Sequence, residues 1–325
     1  MPRSKLAIVI PVYNEEAVLP ELLRRLRLAC DAVADLDWHV LFVNDGSRDG
    51  TLGLLMEEQT RDRHVKVVDL SRNFGHQPAI SAGLALADAD AVVVMDADLQ
   101  DPPEVIPDLV AAWHEGAQVV VAVRRSRQER GLRRLGFDLF HRCFGWIADS
   151  PIDGQAGVFG LMDRQAVAEL RRLTERNRFL PGLRAWLGFD QRRVYYDRQE
   201  RAAGEPKQTF GRLVRYAADG IISFSFKPLR LMLLAGLLVS TVGFVLALVF
   251  IVKRLAGIET AETGFTTLVT LILFLGGIQL IAVGLLGEYL GRTYDEAKQR
   301  PIYIVRRCYG FDGARSSEDG SGAGG

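Results

Sequence analysis

Two apolar runs near the C-terminus, Leu229 to Val252 and Leu268 to Leu286, constrain this chain more than any other feature. Each is about 20 residues long, the length a helix needs to cross ~30 Å of hydrocarbon. Arg230, at an edge, is the only charge in the first run, and Gln279 is the most polar member of the second. Buried core helices are the competing reading, but such long runs with almost no charge read as membrane spans. Within lipid every backbone polar group must be satisfied inside the segment, so both runs are expected as helices. Assigned boundaries are 229–252 and 266–289. Lys227 and Arg230 flank the pair on one side, and Arg292, Lys298, Arg300, Arg306 and Arg307 on the other. That excess of cations puts both outer flanks, and therefore both termini, in the cytoplasm. The chain is thus expected as an integral membrane protein, of the plasma or inner membrane if bacterial, whose partners include the lipid bilayer. Small residues such as Gly276, Gly277 and Gly284 offer a face through which hairpins could form a homo-oligomer.

The flanking segments follow from the same reading. Residues 208–228 form a juxtamembrane stretch. Phe210, Leu213, Val214, Ala217, Ile221 and Ile222 recur there at near-helical spacing between Arg212 and Arg215. This reads as an amphipathic helix in the interface, with a helix packed on the soluble domain as the alternative. Residues 290–325 read as a cytoplasmic tail, disordered from about 311, where the composition becomes small and polar.

The whole-chain balance of 40 basic and 40 acidic residues gives no net charge and no reason to expect nucleic acid as a partner. Cys30, Cys143 and Cys308 are far apart, with neither a metal-ligand spacing nor a disulfide framework, which fits a reducing compartment. The N-terminal run LAIVIPVY is short and broken by Pro11, so it does not read as a signal peptide.

Residues 1–207 alternate strand and helix. Apolar β-type runs are expected at Lys5–Val12, His39–Val43, Val65–Leu70, Ala91–Met95 and Gln118–Val123. Helices are expected from Glu15 to about Ala34, from about Thr51, from Pro78 to about Ala87, and over Val105–His114. Such alternation predicts an α/β domain, a mostly parallel sheet with helices on both faces.

The loops after these strands carry the polar residues. They are PVYNEE, then Asn44-Asp45-Gly46-Ser47, then Ser71 to Gly75, then Asp96-Ala97-Asp98, then Arg124-Arg125. All five fall at the C-terminal edge of a parallel sheet, where α/β folds bind nucleotides. Asp96 and Asp98 repel each other unless a cation lies between them. Oxygen donors of this kind suit Mg²⁺ or Mn²⁺ shared with a substrate phosphate, although D-x-D alone fits a solvated loop equally well. Asp45 could accept from a base N–H of uracil or guanine, or could serve as a turn or cap residue. Glu15 could belong to the site or to a first helical turn. Neither a P-loop nor a dinucleotide fingerprint is present.

The ordered set PVYNEE, NDGSRDGT, SRNFGHQPAISAGL, DADLQDPPE, RNRFLPGLRAWLGF and GEYLGRTYDEAKQRPIYIV resembles the polyisoprenyl-phosphate glycosyltransferases of glycosyltransferase family 2. Bactoprenol-phosphate glucosyltransferases and dolichol-phosphate mannose synthases belong to this group. The resemblance spans residues from about 5 to 310. It implies a GT-A fold and inverting transfer of one sugar from a nucleotide-sugar donor to a polyisoprenyl phosphate acceptor. It also implies that Pro11, Tyr13, Glu15 and Asp45 hold the nucleoside. Asp96, Asp98 and Gln100 would hold Mg²⁺ or Mn²⁺, and Arg124 would position phosphates. Arg198, Arg201 and Lys207 match basic positions used for phosphate near the membrane. UDP-glucose is taken as donor because it is the commonest one the resemblance implies; GDP-mannose and a UDP-aminosugar are the alternatives.

One departure is chemical. Where the family has Ala-Gly-Asp-Phe-Arg-Leu, with its Asp assigned as base, this chain has Ala156-Gly157-Val158-Phe159-Gly160-Leu161. Valine accepts no proton. The chain could be a catalytically impaired nucleotide-sugar-binding homologue, or Asp153 could act instead, or no protein base is needed. The third reading is preferred. A phosphate monoester has its second pKa near ~6 and is largely the dianion at neutral pH. Its oxygen then attacks without deprotonation, and the costly step is charge build-up on the leaving diphosphate.

Overall fold

In the computed structural model, the described residues are 3–33, 36–125, 156–176, 178–197, 227–256 and 264–311. The amphipathic stretch expected before the first span falls outside them. The chain divides into two units, one built on a sheet and one of two long helices.

The sheet unit begins with four β–α steps. They run β1 (Ser4–Val12), α1 (Leu19–Asp31), β2 (Leu36–Asn44), α2 (Thr51–Arg61), β3 (Val65–Leu70), α3 (His76–Leu86), β4 (Ala91–Val94) and α4 (Ile106–His114). A short 3₁₀ turn at Pro103–Val105 leads into α4. There follow β5 (Val119–Arg124), β6 (Ala156–Asp163), α5 (Arg164–Arg172), α6 (Leu180–Trp186) and β7 (Gln191–Tyr196). The last strand, β8 (Val305–Tyr309), comes after the helical unit in sequence. The eight strands lie in the order β7-β5-β6-β4-β1-β2-β3-β8. Only β6 and β8 run against the others, so the sheet is mostly parallel.

Burial explains why the first strands are legible in the sequence. Leu6 to Ile10 and Ala91 to Met95 are wholly buried, as expected of strands covered on both faces. Helix α1 buries Leu19, Leu22, Leu23 and Leu26 against the sheet, the stripe its spacing predicts. It starts four residues later than expected. The Val18 and Leu19 N–H groups first donate to the Glu15 carbonyl, and Pro20 then occupies the first turn, where its missing N–H costs nothing. Helix α3 lies on the sheet through small residues, Ala79, Ala82 and Gly83, that let the backbones approach closely.

Strands β6, β7 and β8 are not expected from the sequence. Strand β6 contains two glycines and pairs antiparallel on both sides, and its register against β5 slips between Val121 and Val123. Strand β7 is an exposed edge with arginines at successive positions. Strand β8 extends the edge beside β3. The segment read as a tail therefore supplies sheet structure at Val305–Tyr309.

The second unit comprises α7 (Lys227–Leu255) and α8 (Gly264–Ala297). Both helices are long and apolar enough to cross a membrane, with windows Leu229–Leu246 and Phe274–Ala297 of mean hydropathy 2.2 and 1.5. Their large apolar side chains face outward: Leu233, Phe244 and Leu280 are each more than 70% exposed. A water-soluble core helix would bury such a surface.

Candidate active site

At the C-terminal edge of the sheet, the loops hold one another in sequence. The first two are joined at Asn14, whose φ is +57°. Its N–H donates to Ser47 Oγ at 3.0 Å and its side-chain oxygen accepts from the Arg48 N–H at 2.8 Å. Glu15 N–H donates to Thr51 Oγ1, and the Glu16 carboxylate accepts from Gly50 N–H at 2.8 Å. Glutamates 15 and 16 thus stand in a turn stitched to the second loop.

The second loop holds the third through Asp45. This buried carboxylate accepts from the Phe74 N–H at 2.7 Å and the Gly75 N–H at 2.9 Å. Burial raises its pKa above the usual carboxylate range, and the two backbone donors only partly oppose this. Each oxygen keeps a further lone pair for a ligand. Gly46 follows with φ +68°, and a Cβ there would lie 2.6 Å from Asn73 N and 2.7 Å from Arg72 C. The loops meet backbone to backbone at that point.

The third loop reaches the fourth through His76, which lies within SRNFGHQPAISAGL but has no role expected from the sequence. His76 Nε2 is 2.7 Å from Asp96 Oδ1. Burial alone would pull this imidazole down, but the Asp96 hydrogen bond and the charges of Asp96, Asp45 and Asp98 lift it above its ordinary value. In the fourth loop Asp98 Oδ1 accepts from Gln100 N–H at 3.1 Å across Leu99, whose φ of +60° is uncommon for leucine.

The fourth and fifth loops are bound by Asp101, Arg124 and Tyr196. Arg124 Nε donates to Tyr196 Oη at 3.0 Å and Nη2 to Asp101 at 3.3 Å, while the Tyr196 hydroxyl donates to Asp101. Asp101 is buried, and desolvation raises its pKa despite Tyr196 and Arg124. Sequence reasoning misses Asp101 and Tyr196 as well. The first sits in DLQDPPE beside better-marked aspartates, and the second lies about seventy residues from Arg124 with no local pattern to join them.

Pro11, Tyr13, Glu15, Asp45, Asp96 and Asp98 line one pocket of about 300 Å³, completed by Val12, Asn73, Gly75, His76 and Ala97. These six residues, singled out from sequence, come together on strand ends β1, β2 and β4. Gln100 does not line the pocket; it contributes its backbone N–H to Asp98. Arg124 stands beyond it, about a third exposed and tied to Asp101. Asp153, Arg198, Arg201 and Lys207 lie outside the described residues. Val158 is half-buried on β6. Among the described residues no three His, Cys, Asp or Glu side chains gather into a metal-binding group. Asp96 and Asp98 by themselves could give an ion only part of its shell. Their oxygens suit Mg²⁺ or Mn²⁺, which keep several positions for water and phosphate.

Comparison with known proteins agrees with this architecture. Residues 7–160 match the model of glycosyl transferase family 2, and residues 227–293 match that of the GtrB C-terminal hairpin. An uncharacterized glycosyltransferase of Bacillus subtilis, YkcC, is 44% identical, with 96% of this chain and 97% of the relative covered. A prophage bactoprenol glucosyl transferase homolog of Escherichia coli is 39% identical over 93% of this chain and 99% of its own. The bactoprenol glucosyl transferase of Shigella phage SfV is 39% identical over 93% and 98%. Among solved structures, a mannosyltransferase from Pyrobaculum calidifontis aligns with 68% of this chain and 62% of its own, at 18% identity and a TM-score of 0.47. Identity of about two in five residues over nearly the full length of both chains, hairpin included, means that this chain belongs to the polyisoprenyl-phosphate glycosyltransferases of glycosyltransferase family 2.

Proposed function

We propose that this enzyme transfers a single hexose, with inversion, from UDP-glucose to a polyisoprenyl phosphate at the cytoplasmic face of a membrane, with help from Mg²⁺ or Mn²⁺. The observation that carries the reading is the one pocket that brings Tyr13, Glu15 and Asp45 together with the Asp96/Asp98 pair. That pairing suits a ligand with a hydrogen-bonding base at one end and a diphosphate at the other. The similarity to bactoprenol glucosyl transferases and the two apolar helices, which suit a lipid-borne substrate, support the acceptor.

In this reading the pocket residues bind and orient. Asp45, fixed by two backbone donors, presents its free lone pairs to a base N–H. The Ser71–Gly75 loop, locked against Gly46, lines the pocket with Asn73 and Gly75. Asp96 and Asp98 would hold the ion, which supplies Lewis acidity toward the leaving diphosphate. Arg124, its fork oriented by Asp101 and Tyr196, is pre-set to donate to phosphate oxygens. An acceptor dianion needs no base at position 158, because it has no proton to lose at neutral pH. In-line attack on an α-linked donor gives a β-linked product.

The test is direct. Purified protein is incubated with Mg²⁺ or Mn²⁺, a panel of nucleotide-sugars and short-chain polyprenyl phosphate. Formation of a glycolipid from one donor supports the reading and names the sugar. Nucleotide binding with no glycolipid from the whole panel sinks it in favour of a non-catalytic binding protein, the alternative that Val158 raises.

A further inference from the structure

His76 lines the pocket and has as yet no task there. Glu15, Asp45, Asp96 and Asp98 bring carboxylates to the lining, and His76 brings the one basic side chain among the described lining residues. Its Nε2 lies 2.7 Å from Asp96 Oδ1. The two side chains are 45% and 35% exposed. A pair this open to water adds little to stability, so holding the fold together does not account for the contact. The contact needs a proton on Nε2, which a neutral ring supplies, so no second positive charge has to stand beside a bound ion.

The two partners are mounted differently. His76 opens helix α3 directly after Gly75, whose φ is +105°. The Gly75 N–H donates to Asp45 Oδ2 at 2.9 Å, and the Gly75 carbonyl accepts from the Ala79 N–H at 3.1 Å. On the other side of His76, Gln77 Oε1 accepts from the Leu180 N–H at 3.1 Å. The helix itself is pressed onto the sheet: a Cβ at Gly83 would lie 2.3 Å from Val9 Cγ1. The ring therefore stands on a rigid helix start held at both neighbours. Asp96 lies on the loop beyond β4, which ends at Val94. The terminal torsion of an aspartate is broad, so its hydrogen bonds decide where its oxygens point. Asp98 accepts locally, from the Gln100 N–H, whereas Asp96 accepts from a different element. The imidazole is the fixed member and the carboxylate is the one that is set. With Oδ1 turned to α3, the direction of Oδ2 is determined as well.

Resting on the metal-assisted reading above, we infer that His76 is a positioning residue whose Nε2–H fixes the Asp96 carboxylate in the orientation in which, with Asp98, it receives a divalent cation. Hydrogen-bond partners of metal-ligating groups commonly govern affinity, and their loss costs about 10–100-fold. The Gly75–His76 pair meets Asp45 through its backbone and Asp96 through its ring. One helix start thus sets two carboxylates of the pocket.

The test uses the full-length protein in detergent, with Mn²⁺ as the probe. His76→Leu removes the donor, and His76→Gln keeps an N–H on a side chain of similar reach. Mn²⁺ affinity in the presence of UDP is read by electron paramagnetic resonance, beside uridine affinity and the thermal midpoint. His76→Leu is expected to weaken Mn²⁺ by about tenfold or more, with uridine affinity and midpoint unchanged. His76→Gln is expected to recover most of the loss. In wild type the pulsed spectrum of bound Mn²⁺ should show no directly coordinated nitrogen. Equal Mn²⁺ affinity in His76→Leu and wild type would overturn the inference. A coordinated nitrogen, or a His76→Gln protein as weak as His76→Leu, would also overturn it, because the ring would then act as a ligand or by its shape. A lowered midpoint with uridine and Mn²⁺ weakened in parallel would reduce His76 to a structural strut. Wild-type protein that binds no Mn²⁺ beside UDP overturns the inference too, and the glycolipid assay on the same sample then decides separately whether sugar transfer stands.

Discussion

Replacing Gly46 by alanine tests whether the pocket depends on backbone contact between the second and third loops. The residue sits at φ +68°, a region that costs an L-residue roughly 1–2 kcal/mol. Its new Cβ would also lie 2.6 Å from Asn73 N and 2.7 Å from Arg72 C, both main-chain atoms that cannot rotate away. Overpacking of this kind adds roughly 1–3 kcal/mol, so the two effects together come to about 2–5 kcal/mol. The loop has to retreat by nearly an ångström, and it carries the Phe74 and Gly75 N–H groups that Asp45 holds at 2.7 and 2.9 Å. The thermal midpoint should therefore fall by about 4 °C or more, at roughly 2–4 °C per kcal/mol for a domain of this size. UDP affinity, read by calorimetry on the same sample, should weaken by at least about tenfold. Gly53 is the control. It is exposed in α2, and a methyl group at that position would meet nothing within 4 Å, so Gly53→Ala should raise the midpoint slightly, by up to about 1 kcal/mol of helix propensity. A Gly46→Ala protein with wild-type midpoint and UDP affinity would refute the idea that this contact holds the pocket lining in place.

Further outcomes follow from the same geometry. Asp96→Ala and Asp98→Ala should each abolish turnover in the glycolipid assay, whereas Val158→Asp should not raise it; a large gain from the last would show that a base is needed after all. Tyr196→Phe removes the hydroxyl that joins Arg124 to the buried Asp101 and should cost about 1–3 kcal/mol in chemical denaturation while lowering kcat/KM. His39 gives a pH signature. Burial, followed by the charge of Lys66, lowers its pKa to about 4, so below pH 6.5 the unfolded chain takes up a proton that the folded chain refuses. Its contribution is complete above pH 6.5 and is lost as pH falls toward 4, to an extent on the order of 3 kcal/mol. Midpoints measured from pH 7 to 4 should fall less steeply in His39→Phe than in wild type.

The parts of the molecule legible from sequence are those with local signals. Strands β1 to β5 are apolar runs, α1 shows its stripe, and α7 and α8 announce themselves by length. The aspartates and Glu15 stand out because they follow such strands directly. What stays hidden depends on distant partners. Tyr196 acquires meaning only when β7 pairs with β5 and brings it to Arg124. His76 looks like the start of an alanine-rich helix until α3 places it against Asp96. Strand β6 is glycine-containing because Arg184 and the β5 backbone crowd it, a reason that lies on other elements. Strand β8, VRRCY, carries exposed arginines on an edge, and its amphiphilic pattern is too short to distinguish from a loop.

Strand β8 also dictates when the molecule can be finished. It supplies the partner for β3, and Arg306 holds Asp69 and the Ser71 carbonyl while the Ser71 N–H donates to Ile304. These contacts anchor the root of the Ser71–Gly75 loop, whose Asn73 and Gly75 line the pocket. Yet β8 is synthesised only after both apolar helices. At ~5–20 residues per second, the interval between the start of α7 and the end of β8 is on the order of ten seconds. During that time the nascent sheet has an open β3 edge, a template for unwanted strand pairing, and a donor loop without its backing. A chain cut short within its two helices therefore lacks the strand that backs the Ser71–Gly75 loop, so synthesis order itself ties completion of this sheet edge to the presence of the hairpin.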